Sequence, residues 1–300
     1  MRKALYFNRT RKRTNVFNIF LLIFLSFFTI LSFFPFYYLV IISFASYSDI
    51  NKQLLYIIPT SIDLTAYKLL LLSTDVIRGG LISIGITVFG TLFSLFVTAS
   101  AAYALSKKYL PGRKLILNFI VFTMFFTGGL IPYYLTIRSL NLVNNLLVMI
   151  FPLAINTFYF IIMKTYFLNI PVSVEESAKI DGANDLYIFF RIVIPISLPI
   201  IATISLFYAV DRWNEWYIAM LFLNKQELQP LQIVLRNLIV NMENSTGGGV
   251  GKAIAASRKP VFTQGVKMAV VVITCVPILL VYPFLQKYFT KGIMLGSIKE

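Results

Sequence analysis

Six apolar runs, at 16–46, 80–105, 115–137, 146–167, 192–223 and 266–289, each reach the roughly 20 residues a helix needs to cross about 30 Å of hydrocarbon. Lipid offers the backbone no water, so a chain dominated by such runs must satisfy its own amides within helices. The expectation is an all-α membrane protein with six transmembrane helices. An apolar share of 58% against 13% charged residues supports it; soluble domains hold about 45–50% apolar residues. Pro35, Pro132, Pro152, Pro195, Pro277 and Pro283 fall at or within the runs. Irregular helices are therefore expected, tolerable where freed carbonyls face protein or water. The first run follows a basic start, as a secretory signal does. Its apolar stretch far exceeds the about 7 to 15 residues of such a signal, so it is read as a retained span.

Histidine is absent, and the one cysteine, Cys275, lies inside an apolar run. That removes the commonest general base and metal ligand and any internal disulfide; no catalytic residue and no metal site is expected. A net charge of +15 would suit nucleic acid, but the basic residues gather at the ends of runs. Membrane lipid and the positive-inside bias explain them there, and no nucleic-acid partner is expected. Arg2, Lys3, Arg9, Arg11, Lys12 and Arg13 before the first run, and Lys107, Lys108, Arg113 and Lys114 between the second and third, mark cytoplasmic segments. Counting onward puts both termini in the cytoplasm, with the segment around Glu175. The outside segments are then 47–78, 138–145 and 224–265. Lys225, Arg236, Lys252, Arg258 and Lys259 make the last an exception, of a kind that long loops allow.

That cytoplasmic segment, Glu175-Glu176-Ser177-Ala178-Lys179-Ile180-Asp181-Gly182-Ala183, is a polar island between two apolar runs. Pro171 suits the first turn of a helix, Ser173 and Glu176 are spaced as a capping box, and Gly182 can stop the helix in the left-handed conformation. Asn184 can cap a second helix carrying Phe189, Phe190 and Ile192 back toward the membrane, with Pro195 and Pro199 marking its continuation. The expected shape is an L-shaped foot, its first helix about two to three turns long. Glu175, Glu176 and Asp181 offer acceptors to a partner protein; Ala178, Ile180 and Ala183 offer a small or apolar face. The bland reading is a solvated loop whose carboxylates only cap helices.

Asp211, Arg212 and Glu215 fall near the outer end of the fifth run, flanked by Trp213, Asn214, Trp216 and Tyr217. Charges at membrane depth line cavities or gates, or else they snorkel from an aromatic belt; both readings stay open. Asn156, Thr157 and Tyr159 in the fourth run, and Thr127 with Gly128 and Gly129 in the third, either line a path or pack helices. The glycine stretch at 246–251 followed by Lys252 fails as a phosphate-binding loop, which would need Gly where Thr246 stands and Ser or Thr where Ala253 stands.

Read together, Glu175-Glu176-Ser177-Ala178, Asp181-Gly182-Ala183, Phe189, Ile192 and Pro195 resemble the EAA loop of bacterial ABC importer permeases. Ser177 stands for the middle alanine, one small residue for another. Trp213-Asn214-Glu215-Trp216-Tyr217 and the tail Gln286-Lys287-Tyr288-Phe289, Lys291-Gly292, Gly296-Ser297-Ile298-Lys299 are similar to sugar-type permeases of the maltose-transporter class. The run from Gly128 to Asn237 looks closest to the complex-carbohydrate branch. The resemblance implies a cytoplasmic tail at 1–15, a first helix and extracellular segment at 16–79, a MetI-like core at 80–290 with the coupling loop at 168–191, and a cytoplasmic tail at 291–300. It implies a multi-pass plasma-membrane protein paired with a second, homologous permease, two ATP-binding subunits and an extracellular sugar-binding lipoprotein. ATP and magnesium are used by those ATPases, with no cofactor bound by this chain. Glu176 would pair with a basic ATPase residue, and Gly182 would let the backbone pack closely. Gly296, Ser297, Ile298 and Lys299 would contact the ATPases, where composition alone reads a frayed terminus.

Three other classes fit the residues less well. A secondary transporter would place carboxylates in mid-span, and none is seen there. A membrane enzyme lacks its histidine and clustered acids. An ABC permease for a non-sugar solute is disfavoured by the tail and by Trp213-Asn214.

Overall fold

Helices joined by turns and short irregular stretches make up the described residues, with no strand among them. The structure, a computed structural model, describes residues 16–46, 50, 56–58, 61–243 and 262–297, by backbone alone at 16, 241–243 and 282–297. The basic start 1–15, the glycine stretch 246–251 with Lys252, Arg258 and Lys259, and Ile298 and Lys299 lie outside the described residues. Two units are distinguished, Met1–Ala66 with Val261–Val272, and Tyr67–Pro260 with Ile273–Glu300.

In the first unit, α1 (Val16–Ser43) keeps Pro35 inside the helix. Phe17, Phe20, Leu22 and Phe33 are exposed, as a helix facing lipid or another subunit requires. Ile41, Ile42, Ala45 and Tyr56 form a small core with Phe262 and Met268. A short α2 (Thr65–Leu71) begins at the end of this unit.

The second unit is organised around α3 (Thr74–Ser106), which is unbroken over 33 residues. Its buried positions include Gly79, Ser83, Gly90, Ser94, Thr98 and Ala102, small or hydroxylated residues that let neighbouring helices come close. The other membrane segments here are bent. α4 (Arg113–Phe125) and α5 (Leu130–Ser139) meet at 120°. α6 (Thr157–Leu168) and α7 (Val172–Ile180) meet at 67°. α8 (Asp185–Ile188) runs on through a π turn at Phe189–Val193 and a last turn at Ile194–Ile196, then meets α9 (Leu198–Asn214) at 83°. α10 (Tyr217–Phe222) and α11 (Leu231–Glu243) follow, and α12 (Thr263–Ser297) belongs to this unit from Ile273 on.

Among the described residues, three helices are long and apolar enough to cross a bilayer alone, and up to six crossings result if each bent pair is one span. The runs 115–137, 146–167 and 192–223 are therefore not continuous helices. Each break has a local cause. Gly129 takes φ +83 between α4 and α5. In the fourth run only α6 is α-helical; a 3₁₀ turn, Leu146–Met149, and an irregular stretch containing Pro152 precede it. Pro195 and Pro199 lack the donors a helix needs at the 83° bend, and the π turn before them re-registers the ladder. The expected outer segment 224–265 contains α11, whose Leu231, Ile233, Val234 and Leu235 are buried. α12 continues as helix through Gly296 and Ser297, past the polar residues read as a frayed end.

Candidate functional site

Two places bring the sequence-predicted residues together. The first is the foot. α7 follows Pro171, which stands at its N-cap with no side-chain cap bond, so the Ser173–Glu176 capping box is not formed and Ser173 lies within the helix. The helix ends as a left-handed cap should: Gly182 has φ +82, its N–H donates to Lys179 O at 3.0 Å, and Ala183 N–H donates to Ala178 O at 2.9 Å. A Cβ at Gly182 would meet no atom within 4 Å, so backbone conformation alone asks for glycine there. Asn184 caps α8, accepting from Tyr187 N–H at 2.8 Å. Lys179 and Asp185 pair at 2.9 Å, and that hydrogen bond holds Lys179 above the ordinary ammonium range.

The foot's carboxylates face different ways. Glu175 Oε2 accepts from Lys107 Nζ at the end of α3, the two side chains being 14% and 15% exposed. Lys107 also lies 4.2 Å from the centroid of the Tyr103 ring. Glu176, Ser177, Asp181 and Gly182 are exposed, and Ala183 is half-buried. Ala178 is buried in a core with Ala102, Tyr103, Phe167, Ile188 and Phe189. Ile180 is 86% exposed and Leu186 71%, an apolar surface on an otherwise polar element.

The second place is a cavity of about 370 Å³ whose lining includes Pro152, Asn156, Tyr208, Asp211, Asn214 and Glu215. Tyr208, Asp211, Arg212 and Glu215 recur along the end of α9 at helical spacing, so they share one face. Tyr159 Oη donates to Asp211 Oδ2 at 2.8 Å. Tyr208 Oη accepts from Asn156 N–H at 3.0 Å and shares a hydrogen bond with Thr98 Oγ1 at 2.7 Å. Asn156 Oδ1 is engaged in capping α6, accepting from Phe158 and Tyr159 N–H. Glu215 Oε1 accepts from Ile218 N–H at 2.9 Å, which caps α10.

Arg212 does not snorkel. It is 4% exposed. Its guanidinium donates to the carbonyls of Met149, Ile150 and Leu153 and, at 2.8 Å, to Ser94 Oγ. Gly90 leaves the room: a Cβ there would lie 3.2 Å from Arg212 Nε. Arg212 thus fixes the irregular stretch that forms one wall of the cavity.

The remaining path candidates lie apart from that lining. Trp213 is buried, and its Nε1–H donates to Thr274 O at 3.0 Å. Trp216 is exposed, with the Arg236 guanidinium 5.5 Å from its ring. Thr157 Oγ1 stands 3.4 Å from Thr123 Oγ1 between α6 and α4. Tyr208, Ser94 and Thr98 were missed by sequence reading. Tyr208 had a signal, since it sits three and four residues before Asp211 and Arg212; the two hydroxyls on α3 had none beyond their spacing.

Helices broken at prolines and glycines, a capped polar foot and a polar cavity among apolar spans define a multi-pass membrane transport subunit. No family model matches the chain. It is 45% identical over 277 residues to the polygalacturonan/rhamnogalacturonan transport system permease protein YtcP of Bacillus subtilis (strain 168), covering 92% of this chain and 96% of that one. It is 42% identical over 267 residues to protein LplC of the same organism, covering 88% of each. Its fold matches the crystal structure of a bacterial ABC transporter involved in the import of the acidic polysaccharide alginate, with TM-score 0.86 and 34% identity over 93% of this chain and 98% of that chain. The chain belongs to the permease subunits of sugar-type bacterial ABC importers.

Proposed function

We propose that the chain forms half of a carbohydrate path, with the cavity at Asp211 as its sugar-contacting surface and the α7–α8 foot as its seat on an ATPase. The observation that carries the first part is the exposed Asp211 carboxylate, oriented by Tyr159 beside Asn156, Asn214 and Glu215. A carboxylate at membrane depth belongs on a watery or protein-covered face. Carboxylates and amides are the acceptors and donors that sugar hydroxyls need. The one cation in the lining, Arg212, is held by main-chain carbonyls, so this half presents acceptors to hydroxyls. Carboxylates of an acidic saccharide would be met by the other permease.

The second part rests on Glu176, Asp181, Ile180 and Leu186, exposed together on a rigidly capped element. One of two ATP-binding subunits, which use ATP and magnesium, docks there; this chain itself hydrolyses nothing. A second, homologous permease closes the path, and an extracellular sugar-binding lipoprotein delivers the load. Foot and both termini face the cytoplasm, following the basic segments. Gly296, Ser297, Ile298 and Lys299 touch the ATPases.

The test is uptake of labelled oligosaccharide into proteoliposomes holding the assembled transporter. Loss of a charge-assisted hydrogen bond, about 1.5–3 kcal/mol, raises the apparent KM about tenfold or more in Asp211→Asn, with assembly intact. Unchanged uptake in both Asp211→Asn and Tyr159→Phe removes the cavity from the path.

A further inference from the structure

We propose that the Lys107–Glu175 ion pair, seated on the Tyr103 ring, is the joint through which the foot moves α3. Glu175 then acts within this chain, and Glu176 is the glutamate left for the ATPase. The inference rests on the foot being the seat of an ATPase, as proposed above. The two neighbouring glutamates are distinguished by burial: Glu175 is 14% exposed and already paired, whereas Glu176 is exposed.

The joint has a firm anchor on each side. Lys107 is the C-cap of α3, its N–H donating to Ala104 O. Arg113 Nε–H donates to Leu105 O at 2.8 Å, which folds the start of α4 against the same end. Glu175 sits in the first turn of α7, one turn from Ala178 in the core. Apolar contact at Ala178 can slide; a charge-assisted hydrogen bond is directional, and the aromatic face beneath Lys107 fixes its approach. α3 then runs unbroken from Lys107 to Thr98 and Ser94, about 14 to 20 Å at 1.5 Å per residue. There it bonds Tyr208 and Arg212, which border the cavity. A rigid helix joined at one end to the foot and at the other to the cavity wall carries a displacement between them.

The test uses the complete transporter in proteoliposomes, with Cys275→Ala as background and Asn214→Cys as reporter in the cavity. Labelling by a membrane-impermeant maleimide is compared before and after trapping with Mg-ATP and vanadate. Trapping is expected to change the labelling rate at least tenfold in the otherwise unaltered transporter. In Lys107→Met and Glu175→Gln the ATPase subunits stay bound, but that change shrinks at least threefold. The neutral pair K107M/E175Q, which leaves no unpaired charge to unfold the foot, behaves like the single variants. The swap K107E/E175K recovers at least half of the response, which a merely structural loss would not.

A response equal to that of the unaltered transporter in the single variants and the neutral pair overturns the joint. So does a swap no better than its parents. Release of the ATPase by Glu175→Gln shows instead that Glu175 faces the partner. If trapping changes nothing even without these substitutions, the reading of the foot itself fails, and the joint with it.

Discussion

Replacing Arg212 by methionine tests how the cavity wall is held. The guanidinium donates to Met149, Ile150 and Leu153 carbonyls and to Ser94 Oγ, and it is 4% exposed. A hydrogen bond to a charged group contributes about 1.5–3 kcal/mol, a figure already net of desolvation. The Ile150 contact, at 3.4 Å, is weak, and the freed Ser94 hydroxyl can turn back to a carbonyl of its own helix, so the bonds to Met149 and Leu153 decide the cost. Together they would give about 3–6 kcal/mol. Leu153 and Arg212 border the cavity, where water can reach the freed Leu153 carbonyl, whereas Met149 is 1% exposed and its carbonyl stays dry. The lower end of the range therefore applies, about 3 kcal/mol, or about a 150-fold shift in the folding equilibrium. Methionine keeps the length and apolar stem, so packing changes little. Arg212→Lys, a point charge without the planar fork, retains part of the effect. Reversible unfolding by SDS in mixed micelles, followed by circular dichroism, measures the difference. A snorkelling arginine would give a surface value, within about 0.5 kcal/mol of zero. That result for Arg212→Met would refute the buried anchor.

Gly90→Val drives a branched side chain into the guanidinium, with Cβ 3.2 Å from Nε, and should destabilise by about 1–3 kcal/mol in the same titration; Gly90→Ala costs less. Gly182→Ala meets open space but strains a φ of +82, costing about 1–2 kcal/mol at the foot. Hydrogen exchange at the Gly182 and Ala183 amides should quicken accordingly. Trp213→Phe removes the bond to Thr274 O, worth about 0.5–1.5 kcal/mol, and leaves uptake KM unchanged because Trp213 lies outside the cavity lining. A raised KM there would return Trp213 to the path.

Much of the foot was legible because its signals are local. Gly182 and Asn184 act on backbone groups within a few residues, and both do what their residue types allow. The capping box was not formed, because Pro171 takes the N-cap two residues before Ser173, which then lies inside the helix. The partners of Glu175 and Arg212 are 68 and 118 residues away in Lys107 and Ser94, a distance that residue spacing cannot bridge. Apolar runs mark the membrane segments, and the prolines within them announce irregular helices, but they do not tell where 115–137, 146–167 and 192–223 turn or how sharply. Hydropathy sums over a window and does not register that Pro152, Pro195 or Gly129 redirects the chain within it.

Those breaks explain why the unbroken α3 carries buried hydroxyls. Each bend frees amides or carbonyls in a medium where an unpaired one is costly. In the irregular stretch before α6 and at the start of α11, α3 and its partners on α9 meet them. Thr98 holds Tyr208, which receives the Asn156 amide where α6 begins. Ser94 Oγ accepts from Arg212, which donates to the carbonyls of the stretch before it. Ser83 Oγ accepts from Leu231 N–H at the start of α11, at 2.9 Å. Ser83, Ser94 and Thr98 on α3 are therefore needed by the breaks, and their presence in a span is no sign of a path. Asp211 differs in kind: it is exposed, and Tyr159, its hydrogen-bond partner, is a side chain and not a freed backbone group. A polar residue that answers a helix break is structural, and Asp211, which answers none, is the one that the proposed path gives to sugar.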